Sequence, residues 1–195
     1  MLPRRDVLLG GTAAAAAVMG LPALAAQTKQ EDEATAIDPR KARIIRVGRS
    51  TTPGVIHVKP DEFALYWTME KGRAIRYPIG VAQRHLWEPG SYVVRAKREW
   101  PDWTPTPAMI ERNPKYAEWE EGMPGGPGNP LGARALYLFD ASGRDTMLRI
   151  HGTNLPHTIL TRVSNGCARL TNGYVSDLYA RAPLGTRVHL YPMSA

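Results

Sequence analysis

The chain has 195 residues, 43% of them hydrophobic and 22% charged, with 18 glycines, 17 prolines, one cysteine and a net charge of +7. That length suits one domain, and that hydrophobic share excludes a wholly disordered chain. A single cysteine excludes an intramolecular disulfide framework and any zinc site built on several thiolates.

Residues 1–25 read as an export signal: Arg4 and Arg5 give a charged start, Val7 to Leu24 is small and apolar, and Ala23-Leu24-Ala25 is an A-x-A cleavage pattern. The run Arg4-Arg5-Asp6-Val7-Leu8-Leu9 is similar to a twin-arginine signal, and Val7 in place of the usual Phe leaves an ordinary Sec signal open. No other segment approaches the roughly 20 apolar residues of a membrane span, so no stable span is expected. Without the leader the chain stays basic. Nucleic acid is one partner for such a charge, but an exported protein rarely meets it and no dense Lys/Arg run is present. Anionic envelope polymers, or simple solubility, account for the charge better. Residues 26–41 are polar and mixed in charge without apolar periodicity, which predicts a flexible linker. The folded domain is then 42–195.

Within it, short β-branched or aromatic stretches punctuated by Pro, Gly and Asp predict strands at Arg43 to Val47, Val55 to Val58, Glu62 to Thr68, Ala74 to Val81, Tyr92 to Lys97, Ala133 to Phe139, Met147 to His151 and Arg187 to Tyr191. Phe63, Leu65 and Trp67 share one face at period two, and Val188 and Leu190 alternate with Arg187, His189 and Tyr191. One helix is predicted, capped by Asn172 and carrying Val175, Leu178, Tyr179 and Ala182 on one face, then stopped by Pro183 and Gly185. The sum is a mainly β fold, an antiparallel sandwich or barrel with one packed helix. From Trp100 to Gly132 the regularity is lost, and seven prolines deny strands their donors. Trp100, Trp103, Tyr116 and Trp119 make this an ordered Pro/Gly/Trp-rich loop lining a cleft, or one stapled to the core.

The chemistry converges on Ile150-His151-Gly152-Thr153-Asn154 and Ser164-Asn165-Gly166-Cys167-Ala168-Arg169-Leu170. A free thiol titrates near 8.5, so catalysis by Cys167 needs a nearby base or positive charge. His151 ends a predicted strand sixteen positions earlier, enough chain to leave and return. Arg169 offers a cation for the thiolate or for a substrate carboxylate. Gly166 permits close approach, and the Cys167 amide is a candidate oxyanion donor. On these grounds alone a buried structural cysteine remains the commoner alternative. His157, between the two segments, lacks the companion spacing of a zinc site, so no metal is expected. His57, His85 and His189 read as ordinary strand or loop residues.

His151-Gly152-Thr153-Asn154 with Ser164-Asn165-Gly166-Cys167-Ala168-Arg169 is similar to the signature of the L,D-transpeptidase catalytic domain family (YkuD; ErfK/YbiS/YcfS/YnhG). The likeness runs from about Ala42 to Tyr191, through Trp100-Pro101-Asp102-Trp103 and Asn129-Pro130-Leu131-Gly132. It implies an enzyme of peptidoglycan synthesis in the periplasm or cell envelope, without cofactor, acting on stem peptides with an amine acceptor that includes, as one option, an envelope protein. It implies that Cys167 attacks the carbonyl of the third residue of a tetrapeptide stem, expelling D-Ala and leaving a thioester. His151 would move the proton, the carbonyl of Gly152 would orient the imidazole, Ser164 and the amides of Gly166 and Cys167 would shape the oxyanion pocket, and Arg169 and Asn154 would bind substrate. The sequence departs from the family pattern at Ala168 and Leu170, apolar exchanges that should keep the packing, at Leu148 in place of a frequent aromatic, and at Leu160 and Tyr174, which touch the substrate wall and the helix start rather than the nucleophile. Hydrolysis in place of transfer, and a non-catalytic wall-binding module, stay open as alternatives.

Overall fold

The computed structural model describes residues 38–194; the predicted export signal and most of the linker lie outside them. Eleven strands appear among the described residues: β1 (Arg43–Arg46), β2 (Val55–Lys59), β3 (Ala64–Met69), β4 (Arg73–Pro78), β5 (Val81–Ala82), β6 (Gly90–Glu99), β7 (Arg134–Phe139), β8 (Asp145–His151), β9 (Arg162–Ser164), β10 (Ala168–Arg169) and β11 (Arg187–Leu190). Nine form one sheet in the order β1-β4-β3-β2-β11-β6-β7-β8-β10, and β5 pairs with β9. The mainly β architecture is the expected one. Most neighbours are antiparallel, while β11 on β2, β10 on β8 and β5 on β9 are parallel.

The period-two pattern decides which face is buried. Ile56 and Val58, Leu65 and Trp67, and Val188 and Leu190 point inward into one cluster with Leu136, Leu138 and Ile150. Helix α2 (Asn172–Arg181) closes over it with Val175, Leu178 and Ala182, all fully buried. Val175 and Leu178 each contribute about 1.5–3 kcal/mol through loss of water contact, and the smaller Ala182 less. The last turn of α2 is held by a residue that the helix pattern does not reveal. Lys97 Nζ, on β6, donates to the carbonyls of Tyr179 (2.5 Å) and Ala182 (2.7 Å) and lies over the Tyr179 ring, so a cation sits where the helix leaves carbonyls unpaired.

The start of α2 corrects one expectation. Thr171, not Asn172, is the cap, its hydroxyl accepting from the Tyr174 amide. Asn172 reaches the other way: Oδ1 accepts from the amides of Ala133 (3.0 Å) and Thr153 (3.1 Å). It thereby ties the helix to the entrance of β7 and to the segment after His151. The approach is so close that a Cβ on Gly132 or Gly152 would lie 2.3 Å from Oδ1, which explains glycine at both places. Asn172→Ala should therefore cost about 2–4 kcal/mol by leaving two amide donors unmet. Asn172→Asp should lose less, because it keeps an acceptor. Urea denaturation of the two variants checks this.

The Pro-rich stretch also differs from a featureless loop. It holds a short helix α1 (Pro107–Arg112), capped by Thr106 with proline in its first turn, and a 3₁₀ turn at Pro114–Trp119. Trp103 and Met123 exchange backbone hydrogen bonds, and Trp103 meets Tyr116 edge to face at 5.3 Å. Asn129 is buried, donating to the carbonyls of Met123 and Pro124 and accepting from the Leu131 amide. Polar side chains supply the partners that proline cannot.

Candidate active site

The site forms where β8 ends and β10 lies beside it. Their parallel register sets Ala168 against Ile150 and Arg169 against His151. Cys167, one residue before β10, therefore falls alongside Arg149, and Arg169 alongside His151. Arg149 and His151 share one face of β8 at period two.

His151 is 4% exposed, and its Nδ1 lies 2.7 Å from the carbonyl of its neighbour Gly152. With Nδ1–H donating to that carbonyl, Nε2 is left with a lone pair. Burial drives the imidazole pKa down to about 4; hydrogen bonds with Gly152 and Leu131 oppose this and the charges of Arg169 and Arg149 reinforce it. Cys167 is half-buried. Burial pushes its thiol up, against a backbone hydrogen bond from Arg149 and the charges of Arg149 and Arg169. In the free protein at neutral pH the pair is thus thiol and neutral imidazole.

Two cavities of about 310 Å³ meet at Cys167. One is walled by His151, Arg169, Ser164, Asn154 and Tyr116; the other by Arg149, Tyr137, Met147 and Asp102. Trp103, Met109, Leu131 and Asn165 border both, so the Pro-rich stretch does line a cleft. Arg112, on α1, donates to Asn165 Oδ1 at 3.1 Å and fastens that stretch to the loop that carries Cys167.

Of the residues singled out in the sequence, Cys167, His151, Ser164, Asn154 and Arg169 line one cavity. Gly152 presents its carbonyl to His151 Nδ1. Ser164 donates its hydroxyl to the Cys167 carbonyl at 2.6 Å and so fixes the loop between them. Gly166 has φ of +124°, and a Cβ there would press on Leu148, so glycine is needed on both counts. The amides of Gly166 and Cys167 donate to no backbone carbonyl among the described residues. Asn154 sits at the exposed rim, donating to the Gly128 carbonyl. Arg169 is 9% exposed, and its Nε and one terminal nitrogen are buried without a partner. His157 stands exposed on the turn Pro156–Thr158. Among the described residues no three His, Cys, Asp or Glu side chains converge as metal ligands, and no helix is long and apolar enough to cross a membrane.

Arg149 is the functional candidate that sequence reasoning passed over. It is 8% exposed, paired with Asp145 by two hydrogen bonds and laid 4.1 Å over the Tyr137 ring. A signal was available: an arginine two positions before His151 in a strand shares its face. Tyr137, whose ring Arg149 covers, lines the same cavity.

A family model of the YkuD L,D-transpeptidase catalytic domain matches residues 53–190. The chain belongs to this family. An L,D-transpeptidase relative, the probable enzyme ErfK/SrfK of Escherichia coli K12, is 37% identical over 142 residues, which are 69% of this chain and 43% of that one. The chain thus spans less than half the length of this relative. A solved structure from Brucella melitensis, described as a probable carnitine operon oxidoreductase, is 46% identical with a TM-score of 0.54, covering 77% of this chain and 94% of that one. That description is the other protein's own; sequence and fold are what the two share. The L,D-transpeptidase of Xylanimonas cellulosilytica (residues 123–326) is 19% identical with a TM-score of 0.50, covering 85% of this chain and 69% of that one, and shows the fold alone.

Proposed function

We propose that this L,D-transpeptidase domain is an exported peptidoglycan cross-linking enzyme with Cys167 as nucleophile. The observation that carries the reading is that Cys167, His151 and Arg169 line one cavity. The resemblance supplies the substrate, a tetrapeptide stem. As Sγ attacks the carbonyl of its third residue, Nε2 of His151 takes the thiol proton. The oxyanion is received by the amides of Gly166 and Cys167, in a loop held by Ser164. When the tetrahedral intermediate collapses, the peptide C–N bond breaks, the imidazolium gives its proton to the departing D-Ala amine, and a thioester remains. An amine of a second stem, entering by the Arg149 and Tyr137 cavity, attacks the thioester. His151 accepts its proton and returns it to the sulfur. No cofactor enters this cycle.

Arg169 is a buried cation short of partners, and it suits a carboxylate or carbonyl of the donor stem. Replacing Arg169 by Gln should raise KM for the tetrapeptide about 10- to 100-fold, the worth of one charged hydrogen bond, with the thermal midpoint as the check on folding. The deciding experiment is product analysis of disaccharide tetrapeptides incubated with purified protein. A cross-linked dimer with free D-Ala supports transfer, and free D-Ala with tripeptide alone makes the domain an L,D-carboxypeptidase. Retention on peptidoglycan without D-Ala release makes it a binding module. Attachment of an envelope protein would appear as a muropeptide-modified lysine on that protein. The Tat or Sec route belongs to the same proposal and is tested by exporting the leader fused to a reporter that fluoresces only if folded before export.

A further inference from the structure

Away from the cleft, the parallel register of β2 and β11 sets His57 directly beside His189. The sequence reads both as ordinary strand residues, and only the pairing of two segments 132 positions apart brings them together. Their ring centres are 5.3 Å apart with the planes inclined by 31°. Each ring is fixed through Nδ1, His57 by the Tyr191 hydroxyl at 3.0 Å and His189 by the Ser91 hydroxyl at 2.9 Å. Those hydroxyls can accept from Nδ1–H, which leaves both Nε2 atoms with lone pairs, and no protein group among the described residues engages either. Both rings border one open cavity with Ser91 and Tyr191.

We infer that His57 and His189 form a two-imidazole site for one borderline divalent ion of the Zn²⁺ or Cu²⁺ class, bridging β2 and β11. The spacing meets the requirement of such an ion. With a metal–nitrogen distance of 2.0–2.1 Å, an imidazole centre sits about 3.2 Å from the metal, so two imidazoles on a tetrahedral ion have centres about 5.2 Å apart. Imidazole suits these ions, and a ligating histidine held through its other nitrogen is the usual arrangement. Water would complete the shell. The opposing charges are Lys59 and Arg187, of which Lys59 is paired with Glu62 at 2.9 Å. An ion here would clip β11, the last strand along the chain, to β2. The pair closes a long stretch of chain, so binding should stabilise the folded state.

The test uses tag-free protein carrying Cys167→Ser, which removes the competing thiol. Calorimetric titration with ZnCl₂ should show one site with a stoichiometry of one, and the thermal midpoint should rise with zinc concentration. The Cu²⁺ electron paramagnetic resonance spectrum should show two equivalent nitrogens. His57→Gln and His189→Gln should each weaken zinc binding by more than about tenfold and halve the nitrogen coupling. Tyr191→Phe, which keeps both ligands, should weaken binding by about tenfold. The proposal is overturned if zinc binding is unchanged in the His57→Gln/His189→Gln double variant, or if the copper signal persists there from adventitious sites such as His85 and His157. It is equally overturned if no saturable site is seen. None of these readouts depends on peptidoglycan, so they stand or fall apart from the proposed reaction.

Discussion

Replacing Cys167 by Ser should abolish release of D-Ala and thioester formation, lowering turnover by at least about three orders of magnitude, while the thermal midpoint shifts little. Serine is a sharper probe than alanine. The Arg149 amide faces the Cys167 side chain and tempers the rise of its thiol, and a hydroxyl keeps an acceptor there, whereas alanine removes it. The neighbourhood of the loop is otherwise untouched, because the Ser164 bond goes to the Cys167 carbonyl and not to its side chain. A hydroxyl is intrinsically a much weaker nucleophile than a thiol, and the burial that pushes the thiol up would hold an alkoxide still more firmly protonated. Intact-protein mass spectrometry after incubation with a disaccharide tetrapeptide should show an acyl adduct on the wild type and none on the variant. Retained turnover in the serine variant would remove Cys167 from the mechanism.

The parts of this arrangement that the sequence makes legible are those written in local alternation. β2, β3 and β11 announce themselves by inward Val, Leu, Ile and Trp, and the β8 strand ends at His151 where its apolar run ends. Cys167 and His151 stand out as candidates too, since a thiol two residues before an arginine and a histidine at a strand end are chemistry-bearing types, but only the family signature sets them above a structural cysteine. What escaped is what depends on which segments meet. β10 is only two residues long and has no period of its own; yet its parallel pairing with β8 is what places Cys167 beside Arg149 and Arg169 beside His151. Asn172 looks like a cap because Asn favours that position, but Thr171 has the same preference and takes it. That frees Asn172 to bind two distant amides. Helix α1 carried a local signal in Thr106-Pro107, a cap followed by proline at the first helical position, which the density of surrounding prolines obscured. Gly132 and Gly152 are explained by partners far along the chain, the Asn172 side-chain oxygen above all, together with the close approach of the two segments to each other.

His151 carries the second large effect, and its pH dependence tells which protonation state the reaction starts from. With the imidazole pKa near 4 in the folded protein and the thiol raised, kcat/KM should climb as pH rises through about 4 and then stay level to neutrality. A preformed thiolate–imidazolium pair would instead need a histidine raised above its ordinary value, and activity would then decline as pH rises past that value. His151→Gln should lower turnover by about 10²- to 10⁴-fold, the usual worth of a positioned base, and erase the acid limb. Stability follows from the same shift. The unfolded imidazole titrates near 6.5 and the folded one near 4, so between those values the unfolded chain binds more protons and folding is disfavoured as pH falls. The neutral ring's contribution is fully present above pH 6.5 and is lost progressively down to about pH 4, amounting to about 3 kcal/mol. His57 is shifted in the same direction, so the quantity to measure is the difference between wild type and His151→Gln in urea titrations from pH 7 to pH 4. That difference should narrow in favour of the variant as pH falls. A constant difference across the range would show that His151 is not held neutral by its burial, and the general-base role for an uncharged imidazole would fall with it.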